Sequence, residues 1–139
     1  MEIKKVSFND KINIEKCFTI RREVFVNEQE CDPKDEYENE EESVHYLLTK
    51  NKKPIATARY RKTNNGIKME RFAVLMSERG NGYGLKILKQ MIEDLSNVKE
   101  LKYLHAQVQV VGFYEKVGFK KIGDEFDEVG IMHYKMILE

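Results

Sequence analysis

Glu70-Arg71-Phe72-Ala73-Val74-Leu75-Met76-Ser77-Glu78-Arg79-Gly80-Asn81-Gly82-Tyr83-Gly84-Leu85 reads as a strand, a short connection, a glycine-rich turn and the entry to a helix. Gly80, Gly82 and Gly84 stand in alternate positions just before that helix. Glycines there let the backbone adopt positive φ and clear the way for a ligand to approach the amides. The first amides of a helix lack internal partners, and the helix dipole favours negative charge beside them. Turn and helix end together make a cradle suited to a pyrophosphate. The dipole contributes up to about 2 kcal/mol and each charge-assisted amide bond about 1.5–3 kcal/mol, so several anchor a nucleotide-like cofactor. A phosphate loop of the Gly-Lys-Ser/Thr type does not fit, because Leu85-Lys86-Ile87 follows Gly84. The dinucleotide pattern G-x-G-x-x-G fails as well, since Leu85 and Ile87 occupy the two candidate third positions. A glycine-rich turn with no ligand is the plainer alternative.

Beyond the turn, Leu85, Leu88, Ile92 and Leu95 recur at i, i+3, i+7 and i+10, the apolar stripe of a helix that covers a sheet. Tyr103 to Val108 is strand-like, Phe113 to Val117 reads as a short helix ending at Gly118, and Ile131 to Leu138 as a last strand. Strand, turn, helix and strand form a βαβ unit, which calls for a parallel pair. Upstream, Ile3 to Phe8 reads as a strand. Ile12 to Glu28 reads as a helix, with Ile14, Cys17, Phe18, Val24 and Phe25 at helical spacing and Arg21 as the exception. Asp32-Pro33 ends it, and an acidic run from Asp35 to Glu42 follows, which is either solvated or faces something cationic. Val44 to Thr49 and Ile55 to Tyr60 read as a hairpin, and Asn64-Asn65-Gly66 as a tight turn into the next strand. The chain therefore reads as α/β with a mixed sheet, without repeats or linkers, in a single domain over residues 1–139.

The pattern Arg79-x-x-Gly82-x-Gly84 after a Phe72-Ala73-Val74 strand resembles the acetyl-CoA motif of the GNAT superfamily of N-acetyltransferases. Phe113-Tyr114-Glu115-Lys116-Val117-Gly118-Phe119 is similar to that family's second signature. Val24-Phe25-Val26-x-Glu28-Gln29, Ala106-Gln107 and Glu128-x-Gly130-Ile131-x-His133 resemble its ElaA-like branch. The resemblance implies a GNAT-like fold: a central, mixed, mostly antiparallel twisted sheet, splayed between strands 4 and 5 and flanked by helices. It also implies that the amides of Arg79, Gly80, Asn81, Gly82, Tyr83 and Gly84 bind the pyrophosphate of acetyl-CoA as co-substrate. Phe72, Ala73 and Val74 would pair with the pantetheine amides as an added strand does. Gln107 stands where many members carry Asn, which implies a shifted cofactor contact. Tyr114 would protonate the departing thiolate.

A 139-residue chain with 41% hydrophobic and 35% charged residues has a globular composition and builds one core. Lys plus Arg and Asp plus Glu balance at 24 each, which argues against nucleic acid as the main partner. Cys17 and Cys31 form no disulfide framework, and no long apolar run is present, so a reduced, cytoplasmic protein without a membrane partner is expected. His45, His105 and His133 are far apart and show no metal-ligand spacing. Pairing through sheet edges, common in the family, would make a homodimer.

Transfer to an amine needs a base, because a lysine-like amine is protonated below about pH 10.4. Glu70 is the first candidate, with Glu128 and His133 behind it. Each also has a plain reading: Glu70 as a strand residue paired with Arg71 or Lys68, His133 as a satisfied histidine in the last strand. Phe113, Tyr114 and Phe119 would equally serve as core packing. No covalent intermediate is required, since holding amine and thioester together supplies effective molarities of about 10⁵–10⁸ M. Cys17 and Cys31 are thus expected to be structural or incidental and not nucleophilic. The expectation is an N-acetyltransferase acting on a primary amine of a small molecule or peptide. The alternative is an acyl-CoA sensor or scaffold without turnover.

Overall fold

The computed structural model describes residues 1–28 and 39–138. Cys31, Asp32-Pro33 and residues 35–38 of the acidic run lie outside the described residues. The elements are β1 (Glu2–Val6), α1 (Lys11–Arg21) continuing as a π-helical segment (Arg22–Glu28), β2 (Ser43–Lys50), β3 (Lys53–Thr63), β4 (Gly66–Val74), α2 (Tyr83–Asp94), β5 (Lys102–Gln107), α3 (Val111–Glu115), β6 (Phe119–Glu128) and β7 (Ile131–Leu138). The strands form one mixed sheet in the order β1-β2-β3-β4-β5-β7-β6. The chain divides into two compact units, one of residues 1–61 and 71–97, the other of residues 62–70 and 98–139.

In the first unit, β2 pairs antiparallel with both β1 and β3. The β2–β3 hairpin turns on Asn51 and Lys52, both at positive φ (53° and 66°), the two-residue geometry whose twist suits a hairpin. Asp10 opens α1 by accepting the Asn13 amide at 3.2 Å. The inner face of α1 packs Ile14, Cys17 and Ile20, with Val24 just beyond it, against Val6, Leu47 and Ala73. Burying one such aliphatic side chain contributes about 1.5–3 kcal/mol. Tyr46, on the opposite face of β2 from Leu47, donates from its hydroxyl to Asp94 of α2 at 2.7 Å. The two helices therefore flank opposite faces of this part of the sheet. The buried stripe of α2 is Tyr83, Ile87, Leu88 and Met91, with Leu95 just past its end. Leu85 and Ile92, expected in that stripe, are half-buried: the helix is rotated about its axis from the orientation that Leu85 and Ile92 suggested.

Arg21, the break in the apolar pattern of α1, is only 1% exposed. Its Nη1 donates to Glu40 Oε1 at 3.0 Å and its Nη2 lies 2.8 Å from Oε2, a two-pronged guanidinium–carboxylate pair. Arg59 of β3, also buried, donates to the same carboxylate. Glu40 is 8% exposed, so one member of the acidic run is a buried anchor instead of a solvated charge.

His45 adjoins this cluster and is fully buried. Its Nε2 donates to the Glu40 carbonyl at 3.1 Å, and its Nδ1 has no hydrogen-bond partner among the described residues. Burial holds its pKa below 6.5, with Arg21 and Arg59 pushing the same way and Glu40 opposing. The unfolded chain therefore takes up a proton at higher pH than the fold does. Stability is expected to be complete above about pH 6.5 and to decline as pH falls below it. Urea melts between pH 7 and 5 check this: His45→Asn should abolish the slope, and an unchanged slope would assign it elsewhere. Glu128, whose pKa is lowered from 4.5, contributes only at more acid pH.

In the second unit, β4 and β5 run parallel, registered at Ile67↔Lys102 and Lys68↔Tyr103 near the start of both strands. Gly66, at φ 129°, is forced by close approach, since a Cβ there would lie 2.2 Å from the Leu101 carbonyl oxygen. β7 pairs antiparallel with β5 on one side and β6 on the other. β6 was not legible as a strand. Residues 120–125 are exposed, and the β6–β7 register shifts between Ile122 and Phe126, so no period-two alternation marks it.

Candidate functional site

The glycine turn belongs to the first unit. Gly80 and Gly82 take φ of 86° and 77°, and Gly82 is the N-cap of α2, with no side chain capping the helix. A Cβ built on either glycine would meet nothing within 4 Å among the described residues, which leaves the space over the turn open. At Gly84 a Cβ would be 3.7 Å from Val74 Cγ2, ordinary packing of the helix start on the strand end. The turn is held from behind: Asn81 donates through Nδ2 to the Glu78 carbonyl at 3.1 Å, and Arg79 donates through Nε to the Val74 carbonyl at 3.0 Å. The side chains of Tyr83 and Ala73 are buried in the core, so these two residues offer the site backbone only. Phe72 and Val74 are half-buried. Arg71, just before them, sits at φ 59°, a left-handed residue inside a strand that costs about 1–2 kcal/mol.

The second unit carries the remaining candidates. Glu70 pairs with Lys68 at 3.4 Å, one of the two partners that its plain reading named. Gln107 accepts from Gln109 Nε2 at 2.7 Å through its amide oxygen. Tyr114 of α3 is half-buried, in edge-to-face contact with Phe113 and Phe119 at 5.2 and 6.1 Å, and burial pushes its phenol up to about 12. Glu128 and His133 meet: His133 Nε2 lies 3.5 Å from Glu128 Oε2. They are joined by His105, unmarked in the sequence, whose Nδ1 is 3.1 Å from Glu128 Oε1. The register explains the meeting. Gln107 faces His133 and Phe126 faces His133, so His105 and Glu128, each two residues along, share that face. Two-residue spacing would have revealed the group had β6 been recognised as a strand. Among the described residues no cluster of three or more His, Cys, Asp or Glu is placed to hold a metal ion. Cys17 is buried, its thiol 3.8 Å from the Tyr46 carbonyl and raised to about 11 by burial, so it is no nucleophile at neutral pH.

The profile of the acetyltransferase (GNAT) domain matches residues 9–139. The chain belongs to the GNAT acetyltransferase family. This GNAT domain is 33% identical to the uncharacterised N-acetyltransferase YjcF of Bacillus subtilis, over 97% of this chain and 99% of YjcF. Escherichia coli ElaA is 25% identical in its crystal structure, superposes with a TM-score of 0.86 and is covered completely, as is this chain. That likeness places the GNAT domain in the ElaA-like branch. An aminoglycoside 6'-N-acetyltransferase complexed with coenzyme A shares the fold at a TM-score of 0.78 and 14% identity, over 99% of this chain and 96% of that one.

Proposed function

We propose that the protein takes acetyl-CoA and passes its acetyl group, by direct attack in a ternary complex, to a primary amine of a small molecule or peptide. The observation that carries this reading is the open turn at Gly80–Gly84 before an uncapped helix N-terminus, in a chain of an acetyltransferase family. Backbone amides there suit a pyrophosphate, and a fold relative is a coenzyme A complex. Phe72, Ala73 and Val74 supply strand backbone for the pantetheine arm. The Val74 carbonyl already accepts from Arg79, so a pantetheine amide would share it or displace the guanidinium. Cytoplasmic placement accords with this donor, and no described helix is long and apolar enough to cross a membrane.

Tyr114 is the proposed partner of the leaving sulfur. With its phenol near 12, full proton transfer to a thiolate of ordinary pKa ~8.5 is uphill by about 5 kcal/mol. Tyr114 thus acts as a hydrogen-bond donor to the developing thiolate, staying protonated at any working pH, and solvent completes the protonation. A hydrogen bond to a charged group contributes about 1.5–3 kcal/mol. Tyr114→Phe should accordingly lower kcat by about 10- to 100-fold with acetyl-CoA affinity unchanged. Thiol release from acetyl-CoA, measured against aminoglycoside, polyamine and lysine-peptide acceptors, tests the reading. Tight binding with no wild-type turnover on any of them would favour the sensor alternative.

A further inference from the structure

In the second unit, one carboxylate is shared by two imidazoles drawn from neighbouring strands. Glu128 of β6 approaches His105 of β5 through Oε1 at 3.1 Å and His133 of β7 through Oε2 at 3.5 Å. Phe126 fills the space between the rings, edge-on to His105 at 5.0 Å and stacked on His133 at 6.0 Å. The hydrogen bond with His105 holds the Glu128 carboxyl below its usual range against the cost of burial, with Lys68 and His133 assisting. Glu128 is therefore a carboxylate at neutral pH, and a carboxylate only accepts. His105 must carry its proton on Nδ1, which leaves the lone pair on Nε2. His133 is fixed at its other end, where Nδ1 donates to the Ile131 carbonyl at 2.8 Å, and its Nε2, 3.5 Å from Glu128, donates to that carboxylate only when the ring carries both protons.

We infer that His105 Nε2 is the base that accepts the proton of the acceptor amine, with Glu128 and His133 as positioning residues. The inference rests on the acyl-transfer reading above. An ionised carboxylate fixing one imidazole tautomer and stabilising the imidazolium is a proven arrangement for proton abstraction. The His105 side chain is 23% exposed, so the ring is not sealed from a substrate. Glu70 is already committed to Lys68, and an imidazole titrates nearer to working pH than a carboxylate does. In the step, an N–H bond of the ammonium breaks, its proton passes to His105 Nε2, and the electron pair stays on nitrogen. That nitrogen bonds to the thioester carbonyl carbon as the C=O π pair moves onto oxygen, and the pair returns to re-form C=O when sulfur leaves. The C–S bond then breaks with its electron pair on sulfur, the second nitrogen proton leaves through solvent, and solvent protonates the thiolate. The charged and titratable groups around His105 are Glu128, His133 and Lys135 on the paired strands, Tyr103 on its own strand and Lys68 acting through Glu128.

Two measurements test this. Long-range ¹H–¹⁵N spectra of histidine-labelled protein should show His105 as the Nδ1–H tautomer, mixing toward Nε2–H in Glu128→Gln. An Nε2–H tautomer in the wild type overturns the inference whatever the activity. In the pH profile of kcat/KM, His105→Gln should abolish the acid limb and lower kcat by about 10²–10⁴-fold, with melting temperature and acetyl-CoA affinity kept. Glu128→Gln should lower kcat with acetyl-CoA affinity kept, and the loss should track the growth of the Nε2–H tautomer in the spectra. A wild type that turns over while His105→Gln retains both rate and limb, or in which Glu70→Gln removes the limb instead, overturns the base assignment alone. A wild type with no transfer to any amine takes the acyl-transfer reading down with it.

Discussion

Glu40→Gln is expected to destabilise the protein by about 3–5 kcal/mol, the cost of removing one partner from a buried ion pair. The carboxylate is met by the guanidinium fork of Arg21 and by Arg59, all three nearly inaccessible to water. Without it two guanidinium groups stay buried with their shared counter-charge gone, and the amide replaces a charge-assisted contact with a much weaker one. For a chain of this size the melting temperature should fall by on the order of 10–20 °C. The exposed neighbour Glu41 is the control, since Glu41→Gln should stay within about 0.5 kcal/mol of wild type. Calorimetric melts of both variants decide the matter. Equal behaviour would mean that the cluster is energetically neutral, as some buried ion pairs are when compared with apolar replacements.

Gly82→Glu should abolish acetyl-CoA binding while leaving the fold in place. A Cβ at Gly82 meets no atom of the described residues within 4 Å, so the side chain enters the open space over the turn. It carries a negative charge to the helix end proposed to hold a pyrophosphate, and it burdens a left-handed position with a side chain at about 1–2 kcal/mol. Loss of two charge-assisted amide bonds alone, about 3–6 kcal/mol, raises Kd by roughly 10²–10⁴-fold. Isothermal titration of wild type and variant with acetyl-CoA, then CoA, reads this directly. Unchanged affinity in a folded variant would remove the cradle from the donor site, and no heat from the wild type would remove the donor itself.

Much of the framework was readable in advance. The β2–β3 hairpin, the turn at Asn64-Asn65-Gly66, the β4–α2–β5 unit and the last strand from Ile131 to Leu138 all carry local signals: turn residues, apolar periodicity, or glycines before a helix. β6 carries none, because an exposed strand with a register shift has no apolar face to alternate. Arg21 looked like a flaw in an apolar stripe. Its partner Glu40 lies 19 residues away, and such a pairing leaves no trace in either local pattern.

The sequence by itself determined the family, the position of the glycine turn and the alternation of strands and helices. Each of these follows from interactions among residues a few positions apart, or from a motif of fixed spacing. Only the tertiary structure decided which acidic residue is an anchor and that Glu70 is paired with Lys68. It alone brought His105, Glu128 and His133 to one face. Those outcomes depend on cross-strand register and on burial, which set the distance between charges far apart in the chain. A shift of one residue in that register would turn His105 and His133 to opposite faces, with no change in the sequence of either strand.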